Sequence, residues 1–278
     1  MGVFFLHYSN PGIILKSMNI IDLNEGHEST WLNCLEDWSD EMKESGNGKK
    51  NWYSRYKDKG LRVKLALEKE QVIGMIQYIP IEHSHVKGES LYFIYCIWVH
   101  GHKQGIGNHQ HRGTGKALLQ AAESDVRNLG AKGIAAWGLA MPIWMKSSWY
   151  RKQGYRVADR DGIAHLVWKP FTTEAKKPQW IKMVKKPEYR KDRVVVTAFR
   201  NGWCQVQNIN CERAKKAASQ FGSRVHYREI DTTEKTALEE WGISDGIFLD
   251  NKLISTGPPL TIEKIEKQIN RQLRRKHL

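Results

Sequence analysis

The sequence predicts an α/β (α+β) protein made of a larger unit followed by a smaller one. Strand-like apolar segments alternate with amphipathic helical segments along most of the 278 residues. A basic segment with two prolines, residues 171–193, interrupts the alternation and is typical of a linker. After it the pattern restarts and runs through a complete β-α-β-α-β-β-α order. We therefore expect domains at residues 18–170 and 194–278, preceded by a leader at residues 1–17.

The elements of the first unit follow from hydrophobic periodicity. The segment LYFIYCIWV is apolar throughout, which predicts a central strand buried on both faces. A stripe of Leu118, Ala122, Val126 and Leu129 predicts a helix, and Gly130 follows as its C-cap. In chain order we predict a strand at 18–23, helical segments at 28–45 and near 51–57, a hairpin of 61–68 with 72–80, a strand at 91–99, a helix at 114–129, a strand at 133–139, a helix at 143–153, and strands at 155–159 and 162–168.

The second unit shows the same kinds of signal over a shorter length. VVVTAF is a short buried strand, and Gly222 ends the helix that follows it. A hairpin turns at Asn251 and Lys252. The predicted elements are strands at 194–199, 225–231, 247–250 and 253–256, and helices at 206–221, 233–241 and 261–273.

The formal net charge of +14 indicates anionic partners. The charge is concentrated in residues 169–193 and in the terminal segment NRQLRRKHL. Solvated surface charge and attraction of a phosphate-bearing small ligand both explain such runs. Nucleic acid fits less well, because aromatic residues are not interleaved with the basic runs.

The sequence shows neither a membrane-spanning segment nor a persuasive secretory signal peptide. No apolar run approaches the roughly 18 residues needed to span a bilayer, so we expect no membrane partner. The first residues lack a basic segment and are broken by Asn10, Pro11 and Gly12, unlike a signal peptide. Four cysteines without a secretory signal indicate a reducing compartment. The sequence thus predicts a cytoplasmic protein.

A glycine-rich turn stands directly before the helix predicted at 114–129. A helix N-terminus carries unpaired N–H groups and partial positive charge, and glycines let an anion approach them closely. No GxxxxGK[ST] pattern is present, so a P-loop site is unsupported, and tight packing is the alternative explanation of the glycines. The residues predicted to cradle a pyrophosphate are Gln110, His111, Arg112, Gly113, Thr114, Gly115 and Lys116.

These residues resemble the signature of the GCN5-related (GNAT) N-acetyltransferases. Q-x-x-G-x-G opens a helix after a central apolar strand, and WYRKQGY at 149–155 resembles the family's second motif. The resemblance implies the GNAT acyl-CoA fold for the first unit, with acetyl-CoA as cosubstrate. It implies that the pantetheine arm pairs with backbone at Trp98, Val99 and His100, with an N–H near Val99 stabilising the oxyanion. It also implies that Tyr150 protonates the leaving thiolate, whereas a structural core tyrosine is the alternative.

The sequence leaves the base that accepts the amine proton open. An alkylammonium with a pKa of about 10 must lose a proton before it attacks. Glu82, Glu89 and His100 flank the central strand; we take Glu89 as the catalytic residue, with a water relay as the alternative. The loop 101–109 is longer than the usual turn of the family, so the family contact at His100 carries over least directly.

Four histidines, His100, His102, His109 and His111, form two H-x-H pairs around this loop. Imidazoles at this density are typical of zinc or nickel ligands. The loop contains no carboxylate or cysteine, and a neighbouring anion site also favours basic side chains. We therefore predict no metal.

The second unit resembles the thioredoxin fold. Trp203 and Cys204 end its first strand, but Gln207 stands where a resolving cysteine belongs. Cys211 lies about 10 Å further along the helix, beyond the reach of a disulfide. A helix N-terminus lowers thiol pKa values, which leaves a reactive Cys204 and a structural or substrate-binding remnant both open. Together the two units resemble the bacterial YoaP-like acetyltransferases.

The leading hypothesis is an N-acetyltransferase that carries the acetyl group of acetyl-CoA to a primary amine of a small molecule or peptide by direct attack. The alternative is a thiol-redox or thiol-binding protein whose first unit senses acyl-CoA. A basic nucleic-acid-associated module is the third. Neither the acceptor nor the oligomeric state follows from the sequence.

Overall fold

The structure is a computed structural model, and it describes residues 18–141 and 145–278. The leader predicted at residues 1–17 lies outside the described residues, as does the start of the helix predicted at 143–153. Within the described ranges, no helix combines the length and the apolar character needed to cross a membrane.

The first unit is built around one mixed sheet. Its strands are β1 (Met18–Asp22), β2 (Arg62–Glu68), β3 (Gln71–Pro80), β4 (Val86–Lys87), β5 (Leu91–Val99), β6 (Gly133–Leu139), β7 (Arg156–Asp161) and β8 (Ala164–Pro170), and its helices are α1 (Glu28–Leu32), α2 (Asp40–Lys43), α3 (Gly48–Tyr56), α4 (Thr114–Asn128) and α5 (Ser147–Lys152). Seven described strands form the sheet in the order β1-β2-β3-β5-β6-β8-β7. All of its pairs are antiparallel except β5 with β6.

The central position predicted for LYFIYCIWV is confirmed, because β5 is covered on both faces. Phe93 and Tyr95 face the core beneath α1 and α3, whereas Ile94 faces the core beneath α4. Both cores exclude water from the strand, which explains why its sequence lacks polar alternation.

A β-bulge and a divergence from β6 open a gap beside β5. Opposite β3, Ile94 pairs with Tyr78 and Cys96 pairs with Gln77, so Tyr95 is the extra residue of a bulge. The parallel pairing of β5 with β6 covers only residues 91–94 of β5. From the bulge onwards, β5 therefore has a free edge toward β6.

Two predicted helices differ from those observed. The segment 28–45 is broken by Cys34 and Leu35, whose φ values of 53° and 66° are left-handed. Leu129, predicted to be buried on α4, is 51% exposed because the helix ends at Asn128. The C-cap role of Gly130 is confirmed by its φ of 79°.

The second unit has the predicted β-α-β-α-β-β-α order. Its elements are β10 (Val194–Arg200), α6 (Gln205–Ser219), β11 (Val225–Asp231), α7 (Lys235–Trp241), β12 (Gly246–Leu249), β13 (Lys252–Ser255) and α8 (Ile262–Lys276). The sheet order is β11-β10-β12-β13, with β10 and β11 parallel. Helices α6 and α8 share one core with the sheet, and Trp241 of α7 packs in a separate cluster.

The segment between the units is folded rather than free. It contains β9 (Gln179–Trp180), which pairs with β4. The Trp180 ring stacks on His85 of the first unit, with centroids 5.5 Å apart. Further along, the Val184 N–H donates to the Trp241 carbonyl of the second unit. The segment predicted as a linker therefore contacts both units.

The two units share a core at Trp203. This side chain is 7% exposed and belongs to the hydrophobic cluster of the first unit, although it precedes α6. Gln77 lies beneath it and accepts from Trp31 Nε1 at 3.1 Å, while its own Nε2 donates to the Trp203 carbonyl at 3.3 Å. A Cβ at Gly202 would lie 3.0 Å from Trp52 Cβ, so the backbones approach closely there.

Polar contacts surround this shared core. Arg213 of α6 binds Glu44 and Glu41 at 2.9 and 2.8 Å. Lys235 of α7 donates to the carbonyls of Ser84 and Val86 at 2.7 and 2.6 Å. The second unit is thus held against the first on more than one side.

We predict that Trp203→Ala lowers the free energy of unfolding of the whole chain by about 3–5 kcal/mol, because it leaves a cavity in the shared core. Urea unfolding followed by far-UV circular dichroism should show one transition at a lower midpoint. The control Leu253→Ala, on a side chain that is 44% exposed, should stay within about 0.5 kcal/mol. Two separate transitions, with only the second shifted, would contradict the shared core.

Candidate active site

The gap beside β5 runs from the bulge to the N-terminus of α4. Gly113 is the N-cap of α4, with a φ of 85°, and no side chain of the described residues caps this end. The first N–H groups of the helix therefore have no partner within it. A Cβ at Gly113 would meet nothing within 4 Å, so the turn is open on its outer side. This end of the gap suits an anion.

The predicted cradle residues differ in how they face the turn. Gln110 points back to β5, where its Nε2 donates to the Val99 carbonyl at 3.1 Å. His111 and Lys116 are exposed, and Arg112 extends into solvent with its Nη1 3.9 Å from Glu68 Oε2. Cationic groups therefore surround the open turn, while Gln110 fixes the turn to the strand.

Thr114 and Gly115 lie in the first turn of α4. Thr114 is buried, and Gly115 is half-buried. A Cβ at Gly115 would be 3.6 Å from Trp149 and 3.8 Å from Val99, which is ordinary contact. Packing thus does not require glycine at this position.

The backbone N–H groups of β5 point alternately toward β3 and toward the gap. The His100 N–H donates to Ile73 of β3 at 3.0 Å, and antiparallel pairs alternate between bonded and non-bonded. Trp98 is therefore bonded to β3, whereas the N–H groups of Val99 and Ile97 point toward the gap. Of the three predicted backbone contacts only Val99 faces the gap. Ile97 also faces the gap. This was not predictable from the sequence, because the bulge decides which N–H groups of β5 point away from β3.

Tyr150 lies against the same gap from the other side. Its side chain is 1% exposed, and its hydroxyl finds no hydrogen-bond partner among the described residues. Burial raises the pKa of Tyr150 above its usual range, and the Cys96 thiol adds to the rise. The hydroxyl is therefore a protonated, unsatisfied donor directed near Cys96.

The placement of Glu89 and Glu82 argues against a catalytic role for either. Both lie before β5 begins, at the end of the strand away from the gap. Glu89 is exposed and binds Lys176 at 2.6 Å, which lowers its pKa. Glu82 is exposed and accepts from the Ser90 N–H at 2.8 Å. The sequence did not rule out these two residues, because no motif marks the bulge and the gap that set the position of the candidate site.

His100 is also unsuited to accept a proton. Its Nδ1 lies 2.7 Å from the Gly107 carbonyl, which can only accept, and its Nε2 accepts from Trp38 Nε1 at 3.2 Å. Both ring nitrogens are thus occupied in the neutral form, and burial lowers the pKa of His100. A Cβ at Gly105 would lie 2.2 Å from the Trp38 ring, so the long loop packs over this indole. His100 anchors the loop.

His102 and His109 of the loop also have protein partners. His102 Nε2 is 3.2 Å from Glu36 Oε1, and burial raises the pKa of Glu36. His109 lies 3.3 Å from Glu68 and 3.0 Å from the Ile106 carbonyl. In the part of the chain that the structure describes, no three His, Cys, Asp or Glu side chains gather as metal ligands.

Cys204 is the N-cap of α6, as the sequence indicated, but its pKa shifts opposite to the effect expected of a helix N-terminus. Burial raises the pKa of Cys204 to about 12, and the neighbouring Cys34 adds to the rise. Cys211 is buried, and burial raises its pKa to about 12 as well. These environments favour protonated thiols over a reactive thiolate.

The first unit matches a known family. Residues 23–155 match the sequence model of the acetyltransferase (GNAT) family. A comparison with curated proteins gave no match. Similar solved structures include the PaiA N-acetyltransferase of Thermoplasma acidophilum in complex with coenzyme A (19% identity, 56% of this chain and 99% of that chain, TM-score 0.39), a GNAT family acetyltransferase of Brucella melitensis in complex with acetyl-CoA (15%, 59% and 96%, 0.39) and one of Elizabethkingia anophelis with acetyl-CoA bound (18%, 55% and 98%, 0.38).

Residues 23–155 thus match the family that the two motifs resemble. The match ends at residue 155. The thioredoxin-like character of the second unit and its likeness to YoaP-like proteins stay predictions.

We predict that iodoacetamide alkylates Cys204 of the native protein at least a thousandfold more slowly than free cysteine near neutral pH. A pKa of about 12 leaves correspondingly less thiolate than the ordinary value of about 8.5. Peptide mass spectrometry over time measures the rate, and the same peptide in urea-unfolded protein is the control. Native alkylation as fast as that of free cysteine would restore the reactive-thiol alternative.

Proposed function

We propose that this GNAT acetyltransferase domain transfers the acetyl group of acetyl-CoA to a primary amine by direct attack. The observation that carries the proposal is the gap beside β5, which joins an uncapped helix N-terminus to an unsatisfied tyrosine hydroxyl. The first suits a pyrophosphate, and the second suits a leaving thiolate. A ligand that spans both must be long, with phosphate at one end and sulfur at the other.

The residues present fit coenzyme A in this orientation. The N–H groups at the start of α4 would hold the pyrophosphate, with Arg112 and Lys116 adding charge. The Val99 N–H would pair with the pantetheine arm along the free edge of β5. The thioester would then lie near Cys96, the thiol whose proximity contributes to the raised pKa of Tyr150.

The position of the thioester refines the expected oxyanion donor. Ile97 is nearer to Cys96 than Val99 is, and its N–H also points into the gap. An N–H aimed at the thioester oxygen stabilises the negative charge that develops there during attack. We assign this role to Ile97 and leave Val99 to the pantetheine arm.

Tyr150 would supply the proton that the departing thiolate needs. A general acid must hold its proton until the transition state, and the raised pKa of Tyr150 keeps it protonated at neutral pH. Among the described residues, no group accepts a hydrogen bond from its hydroxyl. The aromatic rings of Trp149 and Tyr155, with centroids 4.9 and 5.4 Å away, fix its orientation.

The second unit is included in the proposal as a thioredoxin-like domain without dithiol chemistry. The strand order β11-β10-β12-β13, with helices on both faces, supports the fold. Gln207 replaces the resolving cysteine, and its Nε2 lies 3.5 Å from the Gly257 carbonyl. The raised pKa of Cys204 weighs against the redox alternative. Four free cysteines support a reducing, cytoplasmic location.

We predict that Gly113→Ala weakens acetyl-CoA binding about tenfold or more, because a Cβ intrudes on the N–H groups that hold the pyrophosphate. Isothermal titration calorimetry with acetyl-CoA measures the affinity. The matched control is Gly130→Ala at the other end of α4, which also has a left-handed φ and no atom within 4 Å of its Cβ. Equal effects of the two substitutions would show that backbone strain, not phosphate contact, is responsible.

We also predict that Tyr150→Phe lowers kcat about a hundredfold with little change in acetyl-CoA affinity, because only the proton donor is lost. Release of free CoA thiol under saturating amine measures turnover. Tyr155→Phe, in the same buried cluster, should retain most of the activity. Unchanged turnover of Tyr150→Phe, with chemistry rate-limiting, would remove Tyr150 from the mechanism.

A further inference from the structure

A cleft between the two units lies apart from the elements of the candidate active site. Its lining residues come from α1, from the turn between α2 and α3, from the first turn of α3 and, in the second unit, from Gln205. The cleft offers about 160 Å³. A single buried water needs about 10–15 Å³, so the cleft has room for a ligand of several heavy atoms. We call it the inter-unit cleft.

Gln205 supplies a free donor to the inter-unit cleft. Its side chain is only 4% exposed, yet it lines the cleft. Asn208 Nδ2 donates to the Gly202 carbonyl at 2.8 Å and to Gln205 Oε1 at 3.2 Å, which fixes the orientation of both amides. Gln205 Nε2 donates to no group among the described residues. A buried amide N–H without a partner is costly, so this group suits an acceptor atom in the cleft.

Two helix starts meet at the inter-unit cleft. Gln205 is the first residue of α6, and Asn47 is the N-cap of α3 without a side-chain hydrogen bond. A Cβ at Gly48 would lie 2.6 Å from Asn208 Nδ2, so the start of α3 packs directly against the first turn of α6. Helix N-termini carry partial positive charge on their unpaired N–H groups. Both helices therefore contribute positive potential to the cleft.

Two lysines add full charges to this potential. Lys43 and Lys50 both line the cleft, and both are exposed. Lys43 binds Asp40 at 2.7 Å, whereas Lys50 pairs with no carboxylate among the described residues. Of the residues that the structure describes, no Asp or Glu lines the cleft. The neighbouring Glu212 is bound to Arg200 at 2.7 Å. The cleft is thus a positively charged site with unused donors.

We propose that the inter-unit cleft binds a phosphate group, either as inorganic phosphate or as the phosphate of a small monoester. The phosphate oxygens would accept from Gln205 Nε2 and from the Lys50 ammonium. A phosphate carries more charge and more acceptor oxygens than a carboxylate, which suits donors that converge from two units. Leu32 and Met42 also line the cleft and would contact the carbon atoms of an ester.

A phosphate bound there would tie the two units together. Lys50 belongs to the first unit and Gln205 to the second, so one ligand would contact both. A ligand that binds only the docked arrangement stabilises that arrangement. The inter-unit cleft would therefore make the stability of the whole chain depend on phosphate concentration. This inference does not rest on the proposed acetyl transfer, because no lining residue belongs to β5, α4 or α5.

Calorimetric titration of the full chain with inorganic phosphate and with glycerol 3-phosphate tests the site. Saturating coenzyme A occupies the start of α4, and sodium chloride keeps the ionic strength constant. We expect at least one probe to bind with a Kd of about 1 mM or tighter and to raise the melting temperature saturably. Binding of both probes identifies bare phosphate as the ligand group, and binding of glycerol 3-phosphate alone identifies the monoester. Acetate should bind about tenfold more weakly or less.

Substitutions on both sides of the cleft locate the bound phosphate. Lys50→Gln should raise the Kd about fivefold or more, because it removes the unpaired ammonium. The matched control Lys57→Gln removes an exposed charge just beyond α3, outside the cleft, and should change the Kd less than about twofold. Gln205→Met keeps the length of the side chain but removes Nε2, and should also raise the Kd about fivefold or more. If Gln205→Met does not fold, the two lysine variants decide.

The outcomes separate the inter-unit cleft from the candidate active site. Absence of saturable phosphate binding overturns the phosphate site. Equal weakening by Lys50→Gln and Lys57→Gln overturns it too, because net charge alone would then explain binding. Acetate binding as tight as that of the phosphates overturns the ligand class. If coenzyme A itself does not bind, the proposed function fails, and the difference between the two lysine variants still reports on the cleft.

Discussion

The separation of β5 from β6 is the constraint on which the rest of the structure depends. One extra residue, Tyr95, ends the regular ladder with β3, and the parallel ladder with β6 stops beside it. Beyond residue 94 this edge of β5 is not paired with β6. The features of the candidate site are arranged along that edge: the open start of α4, the outward N–H groups and the Tyr150 hydroxyl.

The elements on either side of this edge stabilise it without filling it. On one side, Gln110 ties the glycine turn to the Val99 carbonyl. On the other, His100 and Trp38 hold the long loop against the segment between α1 and α2. Polar residues that resemble catalytic groups in the sequence thus serve as anchors. The proposed chemistry instead depends on Tyr150, whose hydroxyl has no hydrogen-bond partner among the described residues, and on backbone N–H groups of β5.

The order of elements along the chain and the glycine turn before α4 were predictable from the sequence, because both depend on local signals. Hydrophobic periodicity, a helix start and the spacing of two motifs are recognisable without tertiary information. Glu89 was chosen because it flanks the central strand, but closeness in sequence does not tell which end of the strand adjoins the gap. The sequence left a reactive Cys204 and a structural Cys204 both open, because it shows the helix terminus but not the burial that raises the pKa of this thiol.

The bridge made by Gln77 has a consequence for how the chain is synthesised. The first unit contains every strand of its own sheet well before residue 203 of 278 leaves the ribosome. Until then Trp31 and Gln77 border an apolar surface that Trp203 covers in the folded chain. The nascent first unit therefore exposes this apolar surface while the connecting segment is translated. Chaperones that recognise apolar surfaces would have their longest opportunity to bind during that interval.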